Sequence, residues 1–273
     1  MNNPSRTLRA FTLVELLVVC AVLALCAATF LPALARTKAP AQRIYCANNL
    51  KGIGAAFQIW GQDHADAFPM RVAVTDGGYA DFIGERLTSE IMGFERGVFG
   101  VFGCLSNELS SPKVLICPAE NERRLPATTF ANVAPLNSSG IVPLTNDLNV
   151  SYFIGVDAVQ TNPRTFLTGD HNLGSDGYTT PLRGFVTAPS TYSPDFKVSL
   201  GTNFVSDAGV GWLNTMHSNQ GNVALADGSV SQYNRVQLQQ ALRNTGASSN
   251  FSGPNFTNPQ GCIGLGLNRI QFP

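Results

Sequence analysis

The sequence predicts an α+β chain in which one long N-terminal helix, membrane-spanning in its first half, packs its second half on an antiparallel sheet. Three observations carry this expectation. An apolar run from Phe11 to Ala35 is long enough to cross a bilayer. Leu50, Ile53, Phe57 and Trp60 then recur at three- and four-residue spacings, the pattern of one buried helix face. Further on, Val223–Ala226 and Val230–Tyr233 flank Asp227-Gly228. Between strand-like runs that dipeptide signals a hairpin, because its tight turn needs a positive φ.

The apolar run reads FTLVELLVVCAVLALCAATFLPALA and holds one carboxylate, Glu15, and no basic residue. As a helix it extends roughly 37 Å at 1.5 Å per residue, and about 20 apolar residues suffice to span the hydrocarbon core. Arg6 and Arg9 precede it and hold the leading end in the cytoplasm, so the body lies outside. A carboxylate within such a helix is a functional-site candidate. The plainer reading puts it at headgroup level, and both can hold at different stages.

Composition narrows the function classes. The 18 basic and 18 acidic residues cancel, and charged residues make up 13% of the 273, about half the ordinary ~25%. Gly, Asn, Ser, Thr and Pro take their place, as suits an extracytoplasmic body rich in turns. No basic stripe is present to grip nucleic acid. Of six cysteines, Cys20 and Cys26 lie in the apolar run, and Cys46, Cys104, Cys117 and Cys262 beyond it. None forms a CxxC. In an oxidising compartment those four can form two disulfides in any of three connectivities. At least one bridge is expected; buried free thiols are the alternative.

The first helix is expected from about Phe11 to about Asp63, bent near Pro32 or Pro40 and ending near Asp63–Asp66, before Pro69. Tyr79 to Met92 reads as a short helix, and Val114-Leu115-Ile116-Cys117-Pro118 as a buried strand stopped by proline. Ser151–Val156 and Thr165–Thr168 read as strands around an Asn162-Pro163 turn. Gln237–Arg243 reads as a short helix, and residues 187–215 and 244–273 as loops, with Cys262 in a position to pin the tail.

The three histidines are His64, His171 and His217. His217, Asp227, Asp170 and His171 could converge on a metal, but no HExxH, paired Cys/His spacing or calcium loop supports it. The expected roles are plainer: a hydrogen bond from His217 that fixes the hairpin or its preceding loop, and turn chemistry at Asp227. No nucleotide-binding glycine pattern, catalytic residue, metal ligand set or cofactor is predicted, and the chain is not expected to be an enzyme.

Arg9-Ala10-Phe11-Thr12-Leu13-Val14-Glu15-Leu16-Leu17 resembles the type IV prepilin N-terminal motif. In that family a prepilin peptidase cuts on the cytoplasmic side, here between Ala10 and Phe11, and methylates the new amine. The family usually has Gly where this chain has Ala10, and Pro32 lies where pilin helices often carry a kinking proline. The resemblance implies that Glu15 of one subunit neutralises the Phe11 amine of a neighbour inside a fibre. His217, nine residues, then Asp227-Gly228 is similar to the H-X9-DG segment of many pilin-like proteins. Cys46 with Asn48-Asn49-Leu50, and Cys117-Pro118, resemble a subset of them, which makes Cys46–Cys117 the first expected bridge.

The implied organisation is a leader at 1–10, a transmembrane or fibre-core helix at 11–35, an amphipathic continuation at 36–64, and a pilin-like extracytoplasmic domain at 65–273 with the H-X9-DG segment at 217–228. The implied function is that of a pseudopilin or minor pilin in a type II secretion or type IV pilus-like fibre at the bacterial inner membrane. Its partners would be prepilin peptidase, an inner-membrane assembly platform and sister pilins, with an assembly ATPase acting indirectly. Some secretion pseudopilins carry calcium, but no ligands for it can be named here. The competing expectation is an exported or anchored binding module whose signal peptide is cleaved after Ala35, at Ala33-Leu34-Ala35.

Overall fold

Helix α1 (Leu13–Asp63) opens the computed structural model, which describes residues 12–83, 97–120, 124–131, 140–175, 180–181, 197–201, 203–204, 209–245, 262–263 and 268–273. The chain divides into two units, Met1–Ala41 and Gln42–Pro273.

In the first unit every described residue from Thr12 to Phe30 is exposed. Leu13, Val14, Val22 and Leu23 lie on different sides of the helix, and all are exposed. Leu13–Phe30 is long and apolar enough to cross a membrane. Its polar groups are satisfied locally, as lipid requires: the Thr29 hydroxyl donates to the Cys26 and Leu25 carbonyls at 2.9 and 3.3 Å.

In the second unit the outer part of α1 is amphipathic. Cys46, Leu50, Ile53, Phe57 and Trp60 are buried, whereas Ile44, Tyr45 and Ile59 face out. Phe57 sits edge-on to Phe68 and Phe102, with centroids 5.7 and 6.3 Å apart. A Schellman-type turn ends the helix: Asp66 N–H donates to the Gly61 carbonyl at 2.9 Å, with Ala65 left-handed at φ 54°. Helix α2 (Val98–Cys104) adds Val98, Val101 and Phe102 to this core. A short helix α3 (Ser106–Leu109) follows.

The main sheet is antiparallel, in the order β5-β11-β1-β2-β8-β9. It comprises β1 (Tyr152–Gly155), β2 (Phe166–Asp170), β5 (Lys197–Ser199), β8 (Gly221–Leu225), β9 (Val230–Tyr233) and β11 (Arg269–Gln271). Strands β3 (Leu173–Ser175), β4 (Thr180–Pro181) and β7 (Gly211–Trp212) form a second small sheet, and β6 (Asn203–Phe204) pairs with β10 (Cys262–Ile263). Alternating residues separate two cores. Tyr152, Ile154, Leu167 and Ala224 pack with the α1 face, while Phe153, Phe166 and Val223 pack with Leu238 and Leu242 of helix α4 (Arg235–Arg243). An Asn234–Gln237 capping box starts α4.

The β8–β9 hairpin forms as the sequence predicts. Gly228 turns at φ 81°, and Asp227 Oδ1 accepts the Ser229 N–H at 2.8 Å. The turn lies against α1. A Cβ at Gly54 would stand 3.4 Å from Gly228 Cα, and Gln58 donates to the Ala226 carbonyl.

Two expectations are corrected. Residues 114–118 form no strand; a 3-10 turn, Pro112–Leu115, leads into an extended stretch instead. The segment expected as loop at 187–215 contributes β5, β6 and β7, and the tail contributes β10 and β11, the latter between β5 and β1. These strands are two or three residues long, too short to show a period. The helix expected at Tyr79–Met92 lies largely outside the described residues, which include a 3-10 turn at Ala80–Phe82.

Phe57→Ala is expected to destabilise the body by about 3–5 kcal/mol through lost burial and a cavity. Exposed Ile59→Ala should stay within about 0.5 kcal/mol. Denaturant unfolding of the detergent-solubilised chain checks both.

Candidate functional site

Two places carry chemistry, one in each unit. In the stem, Thr12 and Glu15 form a capping box. Thr12 N–H and Oγ1 both donate to Glu15 Oε2 at 2.9 Å, and Glu15 N–H donates to Thr12 Oγ1 at 3.3 Å. The threonine–x–x–glutamate spacing thus satisfies orphan donors of the first turn. Both bonds from Thr12 use Oε2. Ala10 and Phe11, the expected processing residues, lie outside the described residues.

In the body, four side chains from distant parts of the chain meet. Cys46 comes from the buried face of α1, one turn before Leu50. Cys117 follows the 3-10 turn, whose Leu115 carbonyl accepts the Ser151 N–H at 2.8 Å. On either side of Cys117, α1 holds the backbone: Asn49 Nδ2 donates to the Ile116 carbonyl at 3.4 Å, and Gln42 Nε2 to that of Pro118 at 2.9 Å. Asp170 ends β2, opposite Tyr152 of β1. His217 lies in the turn before β8, followed by left-handed Ser218 and Asn219.

The ligand-capable atoms of Cys46, Cys117, Asp170 and His217 all lie within 4.8 Å of one another, and all four residues are buried. Cys46 Sγ donates to Asp170 Oδ1 at 2.9 Å. His217 Nε2 stands 3.3 Å from both Cys117 Sγ and Asp170 Oδ2. A surrounding ring of donors orients them. Asn222 N–H and Nδ2 donate to Asp170 Oδ2 at 2.7 and 2.9 Å, Ala119 N–H points to Cys117 Sγ at 3.4 Å, and Tyr152 Oη is 3.4 Å from Cys46 Sγ.

Electrostatics divides the protons unequally. Burial, together with Cys117 and Asp170, pushes the Cys46 thiol well up. Hydrogen bonding from Cys46, with His217 beside it, brings the Cys117 thiol down against the opposing effect of burial. Burial disfavours a charged His217, but Asp170 and Cys117 outweigh it and raise the imidazole to about 9. The pocket therefore favours a charged Cys117 sulfur beside a positive imidazole at His217, while Cys46 holds its proton.

Of the residues the sequence singled out, Asp170 and His217 converge and the others do not. Asp227 serves the hairpin turn. His171 turns away to Glu120, whose Oε2 it meets at 2.7 Å and which Arg124 also approaches at 3.2 Å. His217 holds the loop before the hairpin, as one of the two expected roles, through its contacts to Cys117 and Asp170. The expected Cys46–Cys117 bridge is corrected as well: both are free thiols, adjacent but shared with a carboxylate and an imidazole. The donors lie too far apart in sequence to register as a motif. The available signal was the position of Cys46 four residues before Leu50, on the buried helix face.

A family model, the prokaryotic N-terminal methylation motif, matches residues 6–31. No curated protein and no solved structure matches the chain. The motif, heading an apolar helix on an α+β body, supports a type IV pilin-like or pseudopilin precursor processed by prepilin peptidase. It points to a membrane-anchored, cell-envelope structural subunit that assembles with other pilins, rather than to an enzyme.

The Glu120 network has a pH signature. Burial opposes ionisation of Glu120, but His171 and then Arg124 overcome it and lower its carboxyl from 4.5 to about 2. Its contribution is fully present above about pH 4.5 and is lost as pH falls toward 2. Glu120→Gln is expected to cost about 1–3 kcal/mol at pH 7 and to flatten this acid limb, as read by unfolding free energy against pH.

Proposed function

We propose that the chain is a pseudopilin or minor pilin: a structural subunit of a type II secretion or type IV pilus-like fibre, assembled from the bacterial inner membrane. One observation carries this reading. Every described residue of the stem from Thr12 to Phe30 is exposed, on all sides of the helix, and its first turn bears a single acid. Within the bilayer, lipid covers such a stem. Once it leaves the bilayer, the stems of other subunits are its apolar cover.

Prepilin peptidase would cut between Ala10 and Phe11 and methylate the new amine, one residue from the Thr12–Glu15 capping box. That amine carries positive charge below a pKa of about 8. Thr12 orients the exposed Glu15 carboxylate through Oε2, and that carboxylate would accept a neighbour's amine. In an apolar bundle an unpaired charge is penalised and a paired one favoured. The pair would therefore set the register between stems. Inner-membrane platform proteins and sister pilins are the partners this reading requires, and residues 217–228 belong to the extracytoplasmic body.

Two measurements test it. Mass spectrometry of the membrane-extracted protein should find a mature chain beginning at methylated Phe11. A chain beginning at Arg36 would mean simple export with cleavage after Ala35, and an intact Met1 a plain anchor; either contradicts the proposal. Glu15→Gln should leave membrane insertion intact and lower fibre incorporation by roughly tenfold or more.

A further inference from the structure

We propose that Cys46, Cys117, Asp170 and His217 form a tetrahedral zinc site that clips the outer part of α1 to the sheet. Geometry is the first support. Zinc bonds of about 2.0–2.3 Å to nitrogen, oxygen and sulfur imply tetrahedron edges of about 3.3–3.8 Å. His217 Nε2 stands 3.3 Å from Cys117 Sγ and 3.3 Å from Asp170 Oδ2, and all four donor atoms fall within 4.8 Å. A central ion needs only a small spreading of Cys46 and Asp170, which now touch at 2.9 Å.

The donor set selects the metal. Two sulfurs and an imidazole are poor ligands for calcium or magnesium, which take oxygen. They suit a borderline ion such as zinc. Four protein ligands close the coordination sphere, the mark of a structural rather than catalytic centre. Buried ionisable groups are stable when paired or bound to a metal, and here two thiols, a carboxylate and an imidazole share one buried pocket.

The outer ring agrees. Asn222 fixes the Asp170 carboxylate with two bonds, the Ala119 N–H supports Cys117, and the Tyr152 hydroxyl meets Cys46. Metal ligands are typically oriented by such second partners. A Cys46–Cys117 disulfide would consume both thiols and leave Asp170 and His217 with no common purpose.

The site also gives the His217 to Gly228 spacing a physical meaning. Strand β8 fits between them: His217 enters the cluster at one end, and the Asp227-Gly228 turn rests on α1 at the other. Metal binding by ligands this far apart in sequence is folding free energy for the body.

The test uses the full chain, purified in detergent without chelator or reductant. Elemental analysis should find one zinc per chain, with Cys46 and Cys117 absent from any disulfide. After metal removal, titration with Co2+ should produce one equivalent of tetrahedral, thiolate-ligated cobalt absorption, which zinc then displaces. Cys117→Ser should roughly halve the sulfur-to-cobalt band and the Cys46→Ser, Cys117→Ser double variant should abolish it, and Asn222→Ala should retain one site but weaken zinc binding by about 10–100-fold. Should Cys117→Ser fail to fold, the cobalt spectrum of the unmodified chain decides alone. A Cys46–Cys117 disulfide peptide with no bound metal would overturn the proposal. So would oxygen-only cobalt coordination, or a preference for calcium over zinc.

Discussion

Apolar surface and its cover govern this molecule. From Thr12 to Phe30 every described residue is exposed, and the helix carries leucine, valine and phenylalanine on all sides. Burying such side chains is worth about 1.5–3 kcal/mol each, so a stem of this kind is stable only inside lipid or against other stems. The capping box of Thr12 and Glu15 closes its leading end.

The same helix becomes an ordinary amphipathic element beyond Gln42, where Leu50, Ile53, Phe57 and Trp60 enter the core. It does more there than fill space. Gln42 and Asn49 hold the backbone on both sides of Cys117, Cys46 reaches Asp170, and Gln58 and Gly54 receive the β8–β9 turn. Polar contacts at the two ends of β8 thus frame an apolar middle. A metal among Cys46, Cys117, Asp170 and His217 would lock one of those ends.

Much of the fold was legible where one local signal sufficed. The long helix showed through length and period, the hairpin through Asp227-Gly228, and most of α4 as the Gln237–Arg243 stretch. Strand β11 was not legible. Arg269 is buried because Asp157, far away in sequence, accepts its N–H and Nε at 2.7 and 2.9 Å, so a charged residue stands where an apolar one would be sought. The Cys117 segment misled in the opposite way: Val114-Leu115-Ile116 looks β-like, but Pro112 starts a 3-10 turn and Ser111 caps it. The cluster was half visible. Asp170 and His217 were named, but their association with two cysteines depends on tertiary closure that no spacing records.

The most direct measurement concerns what covers the stem. A photo-crosslinking residue placed at exposed Leu23 in cells that assemble the fibre reports its nearest neighbours. If stems pack on stems, the adducts should join this chain to the corresponding helices of itself or of sister pilins, and should vanish when assembly is blocked. Adducts to lipid alone, unchanged by blocking assembly, would contradict it.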